Sequence, residues 1–171
     1  MLAALREIQK EDIPLINKWR NDQEIIALLG NNFLYIAKEV DEAWFENYLQ
    51  HRDKSRRFAI VEQAGNCMIG TAQLTNIHGI NQSAEFSIAI GEKEYWNKGV
   101  GKQATRMVMA HGFDDLNLHR IYLTVLARNE RAIRLYENAG FVREGIMRES
   151  MYKQGVFEDL LIMSILRKEY F

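Results

Sequence analysis

The sequence predicts a mixed α/β domain (an α+β arrangement with one mixed sheet), its helices packed against that sheet. Three observations predict this class. Apolar residues recur with a period near 3.6 in some segments and alternate with a period of 2 in others. Clusters of turn residues separate those segments. The 171 residues, 47% hydrophobic and 26% charged, suit one domain with a full core, so residues 1–171 are read as a single unit.

A strand opens the chain. Pro14, the only proline, follows Glu11-Asp12 and starts a helix running to about Arg20. A second helix runs from about Asp41 to Arg52, with acids in its first turn, where they suit the helix dipole, and Trp44, Phe45, Tyr48 and Leu49 as its apolar stripe. The period then changes to 2. Arg57 to Glu62, Cys67 to Thr75 and Ser83 to Ile90 read as strands, joined by Ala64-Gly65-Asn66 and by Asn76 to Gln82. In the third, Phe86, Ile88 and Ile90 share one face and Glu85, Ser87 and Ala89 the other. Gly99 and Gly101 open a helix to about Asp115, and Arg120 to Ala127 forms a strand. Asn129 caps a short helix whose stripe is Ala132, Leu135, Tyr136 and Ala139, and Gly140 ends it. Phe141 to Tyr152 and Phe157 to Leu166 are two long strands joined by Lys153 to Val156.

Several functional classes are disfavoured. A net charge of −1 gives no electrostatic footprint for nucleic acid. No apolar run approaches the ~18 residues of a membrane helix. Met1 to Lys10 is too short and too charged for a signal peptide. Cys67 is the only cysteine, so no internal disulfide forms, and it reads as a small buried hydrophobe on a strand. These points lead us to expect a cytoplasmic protein.

Three features carry candidate chemistry. The first is the turn Trp96-Asn97-Lys98-Gly99-Val100-Gly101-Lys102, between a strand and a helix. Its glycines leave backbone N–H groups unobstructed, and the helix N-terminus with Lys98 and Lys102 suits an anionic phosphate. The same pattern also serves as a plain bend, and it is neither a P-loop nor a dinucleotide fingerprint. The second is Asn129 with Tyr136, readable as a cap and a core residue or as a site. The third is Glu85, a carboxylate inside a strand, where the face is either wet or functional.

In this order the three features resemble the GNAT superfamily of N-acetyltransferases. The family pattern (Gln/Arg)-x-x-Gly-x-(Gly/Ala) reads here as Trp96 to Gly101, with Trp96 in the place of Gln or Arg. The run Asn129-Glu130-Arg131-Ala132-Ile133-Arg134-Leu135-Tyr136-Glu137-Asn138-Ala139-Gly140-Phe141 is similar to the family's Asn-x-x-Ala…Tyr-x-x-x-Gly-Phe segment. The hairpin from Gly145 to Asp159 is similar to the branch holding ribosomal-protein N-terminal and spermidine acetyltransferases, and Lys18 to Asp22 resembles nucleotide-aminosugar acetyltransferases.

The resemblance implies a GNAT-like fold: a central, mostly antiparallel sheet, splayed between its fourth and fifth strands, with flanking helices. It implies acetyl-CoA as cosubstrate and no metal. The backbone of Ile88, Ala89 and Ile90 would hold the pantetheine arm, and the turn from Trp96 to Lys102 (Trp96, Asn97, Lys98, Gly99, Val100, Gly101, Lys102) the pyrophosphate. Asn129, Ala132 and Tyr136 would complete the cofactor site. The acetyl group would move directly from sulfur to an amine, which must be neutral to attack. Deprotonating an alkylamine at pH 7 costs about 4.6 kcal/mol, an α-amine about 1.4 kcal/mol. Glu85 or a water would take that proton, because the ribosomal branch's alternative base position holds Thr124. Tyr136 matches the family's general acid, with donation to the thiolate uphill by about 2 kcal/mol for an ordinary phenol.

Acceptor choice would lie with Trp19, Arg20, Glu24, Phe33, Tyr35 and Tyr152. Trp19 and Arg20 would suit a nucleotide-sugar, and Glu24 a polyamine, while Trp19 reads first as a core residue of the first helix and most of the acids as helix starts and solvated faces. A small-molecule amine, polyamine or aminosugar nucleotide, is the favoured acceptor. A protein N-terminus is the alternative, and a non-catalytic acyl-CoA-binding module is the alternative of another class. Neither a nucleic-acid nor a membrane partner is expected, and a homodimer is an open expectation drawn from the family.

Overall fold

A computed structural model of the protein describes residues 3–32, 34–64 and 67–170; Phe33, Gly65 and Asn66 lie outside them. The strands are β1 (Ala3–Glu7), β2 (Arg56–Glu62), β3 (Met68–His78), β4 (Ser83–Ile90), β5 (Arg120–Leu126), β6 (Val142–Lys153) and β7 (Val156–Leu166). The helices are α1 (Ile13–Arg20), α2 (Gln23–Leu28), α3 (Lys38–Gln50), α4 (Val100–Ala110), α5 (Glu130–Glu137) and α6 (Arg167–Tyr170). One sheet holds all seven strands in the order β1-β2-β3-β4-β5-β7-β6. Every pairing is antiparallel except β4 with β5.

The alternation within strands separates two cores. On one face Ile60, Ala72, Leu74, Phe86, Ile121 and Leu123 pack against α4 and α5 through Val100, Ala104, Val108, Ile133 and Tyr136. On the other, Ala59, Val61 and Met68 pack against Ile13, Ile16 and Trp19 of α1, Ile25 of α2, and Phe45 and Tyr48 of α3. Consecutive side chains of one strand therefore feed opposite cores.

Four expectations change in detail. Residues Gln23–Leu28 form α2, which Asp22 caps by accepting from the N–H groups of Glu24 and Ile25. The helix after the glycine turn becomes a wider π turn over His111–Asp115. Leu49 is exposed, and the buried side of α3 is Asp41, Phe45 and Tyr48. Cys67 is exposed just before β3 rather than buried within a strand.

Candidate active site

The sheet opens between its fourth and fifth strands. β4 pairs with β5 only through Ser83, Ala84 and Glu85, opposite Arg120, Ile121 and Tyr122. Beyond Glu85 the strands part around a cleft of about 280 Å³. Phe86 to Ile90 line one wall, Thr124, Val125 and Leu126 the second, and Ile25, Leu28, Leu29 and Gly30 a third. The β4 edge facing β5 is unpaired there, so its backbone polar groups need a partner. A ligand arm with amide groups between apolar walls meets that need, as the pantetheine arm of CoA would.

The glycine turn closes one end of the cleft. Asn97 and Gly99 adopt left-handed backbone, with φ of 62° and 82°. Space does not demand a glycine at position 99, since a Cβ there would meet nothing within 4 Å; the backbone conformation does. Gly99 caps α4, whose first N–H groups have no intrahelical partner. Asn97, Gly99, Gly101 and Lys102 line the cleft, and Lys102 and Arg131 bring positive charge. Among the described residues no carboxylate lines it. The charge and the free N–H groups suit a pyrophosphate. Lys98 instead lies over the Tyr95 ring and the Val100 side chain is core, and neither lines the cleft.

Trp96 has a defined role in this turn. Its indole N–H donates to the Ile90 carbonyl at 2.8 Å, and the Arg131 guanidinium sits 4.8 Å from its ring centroid. Trp96 thus fastens the turn to the end of β4 and to α5. The Ile90 carbonyl is consequently already engaged, which leaves Ile88 and Ala89 as the freer part of that wall.

Tyr136 stands at the inner end of the cleft, almost fully buried beside Phe86 and Phe141, at centroid distances of 6.2 and 5.8 Å. Burial pushes its phenol up to about 12. Asn129 accepts from the Ala132 N–H at 3.2 Å and donates to the Leu28 carbonyl at 3.0 Å. It joins the start of α5 to the wall formed by α2. Arg128 adds a bond to the Ala27 carbonyl, and Lys153 donates to the carbonyls of Ile26, Leu29 and Asn31. Arg128, Lys153 and the wall of Ile25, Leu28, Leu29 and Gly30 carry no signal that singled them out in the sequence, whereas Asn129 was singled out there.

The expected acceptor residues are not gathered at the cleft. Trp19 is buried, its indole packed so closely on Gly91 that a Cβ there would overlap the ring, and its N–H goes to Glu92. Arg20 pairs with the fully buried Asp41, tying α1 to α3. Glu24 pairs with Lys93 at 2.6 Å. Tyr35 is exposed in the segment before α3, and Tyr152 packs on Phe157 at the hairpin tip. Glu85 lies just below the point of parting, outside the cleft lining, and accepts from Asn76 at 2.9 Å. It shares a strand face with Ser87, one repeat or about 6.8 Å further along.

Comparison with known proteins agrees with this geometry. Residues 3–142 match the family model described as acetyltransferase (GNAT) domain. The spermidine N(1)-acetyltransferase of Vibrio cholerae is 33% identical over 167 residues, covering 98% of this chain and 94% of that protein. The Escherichia coli K12 protein of the same name is 31% identical, covering 98% and 88%. The crystal structure of the Vibrio cholerae spermidine N-acetyltransferase in complex with CoA and spermine superposes with a TM-score of 0.92 at 31% identity, over 99% of this chain and 98% of that one.

The fold and cleft define an acyl-CoA-dependent acyltransferase. The chain belongs to the GNAT acetyltransferase family, and it is an N-acetyltransferase with acetyl-CoA as its cosubstrate.

Proposed function

We propose that the acceptor is the primary amine of a small molecule and that transfer from sulfur is direct. The observation carrying this reading is the cleft in which Tyr136 stands between a phosphate-suited turn and an open sheet face. The amine approaches from the face carrying Ser87 and Thr124. Glu85 reaches that point only through water, so a water takes the ammonium proton and Glu85 receives it at one remove. Tyr136 steadies the sulfur as acetyl leaves.

A phenol near 12 makes full proton transfer to a thiolate of conjugate pKa ~8.5 uphill by about 5 kcal/mol, more than an ordinary phenol would require. Hydrogen-bond donation is therefore the working role of Tyr136, with protonation completed as the thiolate leaves the apolar cleft.

The names of the relatives support a polyamine acceptor. An aminosugar nucleotide remains the second small-molecule class, supported by Lys54 and Arg57 on the acceptor face of the sheet. Thiol release measured across polyamines, aminosugar nucleotides and peptides separates these from a protein N-terminal acetyltransferase. Acetyl-CoA binding without turnover of any amine would instead identify a non-catalytic module. A cytoplasmic setting accords with the single cysteine. A homodimer is supported by edge strand β6, which exposes Val142, Ile146 and Met147; sedimentation velocity tests it.

A further inference from the structure

A second pocket, of about 180 Å³, lies on the acceptor face of the sheet. Trp44, Asn47, Tyr48 and His51 of α3 and its end form one side, and Lys54, Arg57, Thr75 and Asn76 the other. Arg57 dominates it. Its guanidinium lies 4.7 Å from the Trp44 ring centroid and 5.7 Å from that of Tyr48. One of its N–H groups donates to Gln73, while Nε is buried with no hydrogen-bond partner among the described residues. No carboxylate pairs with it among the described residues, and burial holds its pKa below the usual arginine value. The nearby acids are engaged elsewhere: Glu7 with Tyr48 and Arg52, Glu85 with Asn76. A cation held on aromatic faces, with an unused buried donor, is arranged for an anion arriving from outside.

The position of the pocket ties it to the reaction. Arg57, Gln73 and Ser87 are register partners across β2, β3 and β4. Gln73 accepts from Arg57 and donates to Ser87 at 2.8 Å, and Ser87 lines the catalytic cleft. Two strand spacings set Arg57 about 10 Å from Ser87. We propose that this pocket is an acceptor subsite for an oxyanion, phosphate or carboxylate, carried about 10 Å from the amine that is acetylated. This rests on the small-molecule reading above and, of its two acceptor classes, favours the aminosugar nucleotide over the polyamine that the relatives' names support. Trp44 and Arg57 then supply the aromatic and guanidinium contacts that the sequence reading sought in Trp19 and Arg20.

The test compares thiol release for three acceptors: an aminosugar nucleotide, the same aminosugar without phosphate, and spermidine. Wild type, Arg57→Lys and Arg57→Met are assayed at saturating acetyl-CoA, with folding checked by thermal melting. Wild type should prefer the phosphate-bearing amine. Arg57→Met should lower its kcat/KM relative to the uncharged aminosugar by about 10-fold or more, and Arg57→Lys should restore part of the ratio. An unchanged ratio, or a wild-type preference for spermidine, overturns the subsite.

Inorganic phosphate titrated against tryptophan fluorescence gives a readout independent of turnover. A signal lost in both Trp44→Phe and Arg57→Met supports the pocket even if no amine in the panel is acetylated. Its absence in wild type counts against the pocket while leaving the acetyltransferase reading intact.

Discussion

At the residue scale, Tyr136 decides the chemistry and burial decides what Tyr136 can do. A phenol raised to about 12 remains protonated throughout the working pH range. Tyr136→Phe keeps the ring packed on Phe86 and Phe141 and removes only the hydroxyl. We expect kcat to fall about 100-fold or more, with the acetyl-CoA dissociation constant changed by less than about 2-fold. Equal losses in turnover and binding would make Tyr136 a cofactor contact instead. The same burial predicts a pH profile. The value of kcat/KM for the acceptor should rise about tenfold per pH unit below the amine pKa and then level off. It should show no descending limb from Tyr136 below about pH 10. A fall near pH 8 in wild type that is absent from Tyr136→Phe would show that the phenol ionises earlier than its surroundings permit.

At the element scale, the wall from Ile26 to Asn31 is held through its carbonyls rather than by helix length. α2 has only six residues, too few for intrinsic stability. Lys153, Arg128 and Asn129 together donate to five of its carbonyls or those just after it. Lys153→Met keeps the apolar stem and removes three of those bonds. We expect faster amide exchange in and just after α2, and a loss of about 2 kcal/mol in stability. Unchanged exchange there would mean that apolar contacts of Ile25 and Ile26 suffice. This clamp was not legible in the sequence, because it joins residues more than a hundred positions apart through backbone atoms that carry no residue signature. By contrast, the glycine turn and the Asn129 cap were legible, since each meets a local backbone requirement. Trp19 takes the core place its helix suggested, and Arg20 beside it lies away from the cleft for a related reason. Neighbours on a helix point about 100° apart, so one enters the core while the other reaches α3. Trp44 and Arg57 lie on different elements, and only the crossing of α3 over the sheet brings them together.

At the scale of the whole molecule, the order of strands and helices was legible because two-period alternation and turn residues mark them locally. The direction of the sheet and the parting of β4 from β5 came from the family resemblance instead, since pairing is non-local. Ion pairs between distant elements then set how the assembled fold responds to acid. Burial alone would raise the Glu7 carboxyl, but hydrogen bonds from Tyr48 and Arg52 outweigh it and hold the group below its usual range. Asp22 is lowered chiefly by Lys93. Glu144 is lowered furthest, to about 2, by the hydrogen bond from Arg120 and then by Ser164, in a network crossing β5, β7 and β6. All three are depressed in the folded state. Their contributions are therefore present above the unfolded carboxylate pKa and disappear as pH falls through the folded values, for Glu144 between 4.5 and about 2. The Arg120–Glu144 pair is more than a third exposed on the glutamate side, so solvent screening limits it to about 1 kcal/mol. Urea midpoints of wild type and Glu144→Gln should differ at pH 7, draw together as pH falls from 4.5, and converge only below about pH 2, where protonation in the folded state makes the two side chains nearly equivalent. A difference that persists undiminished at low pH would assign the stability to packing of the network rather than to its charge.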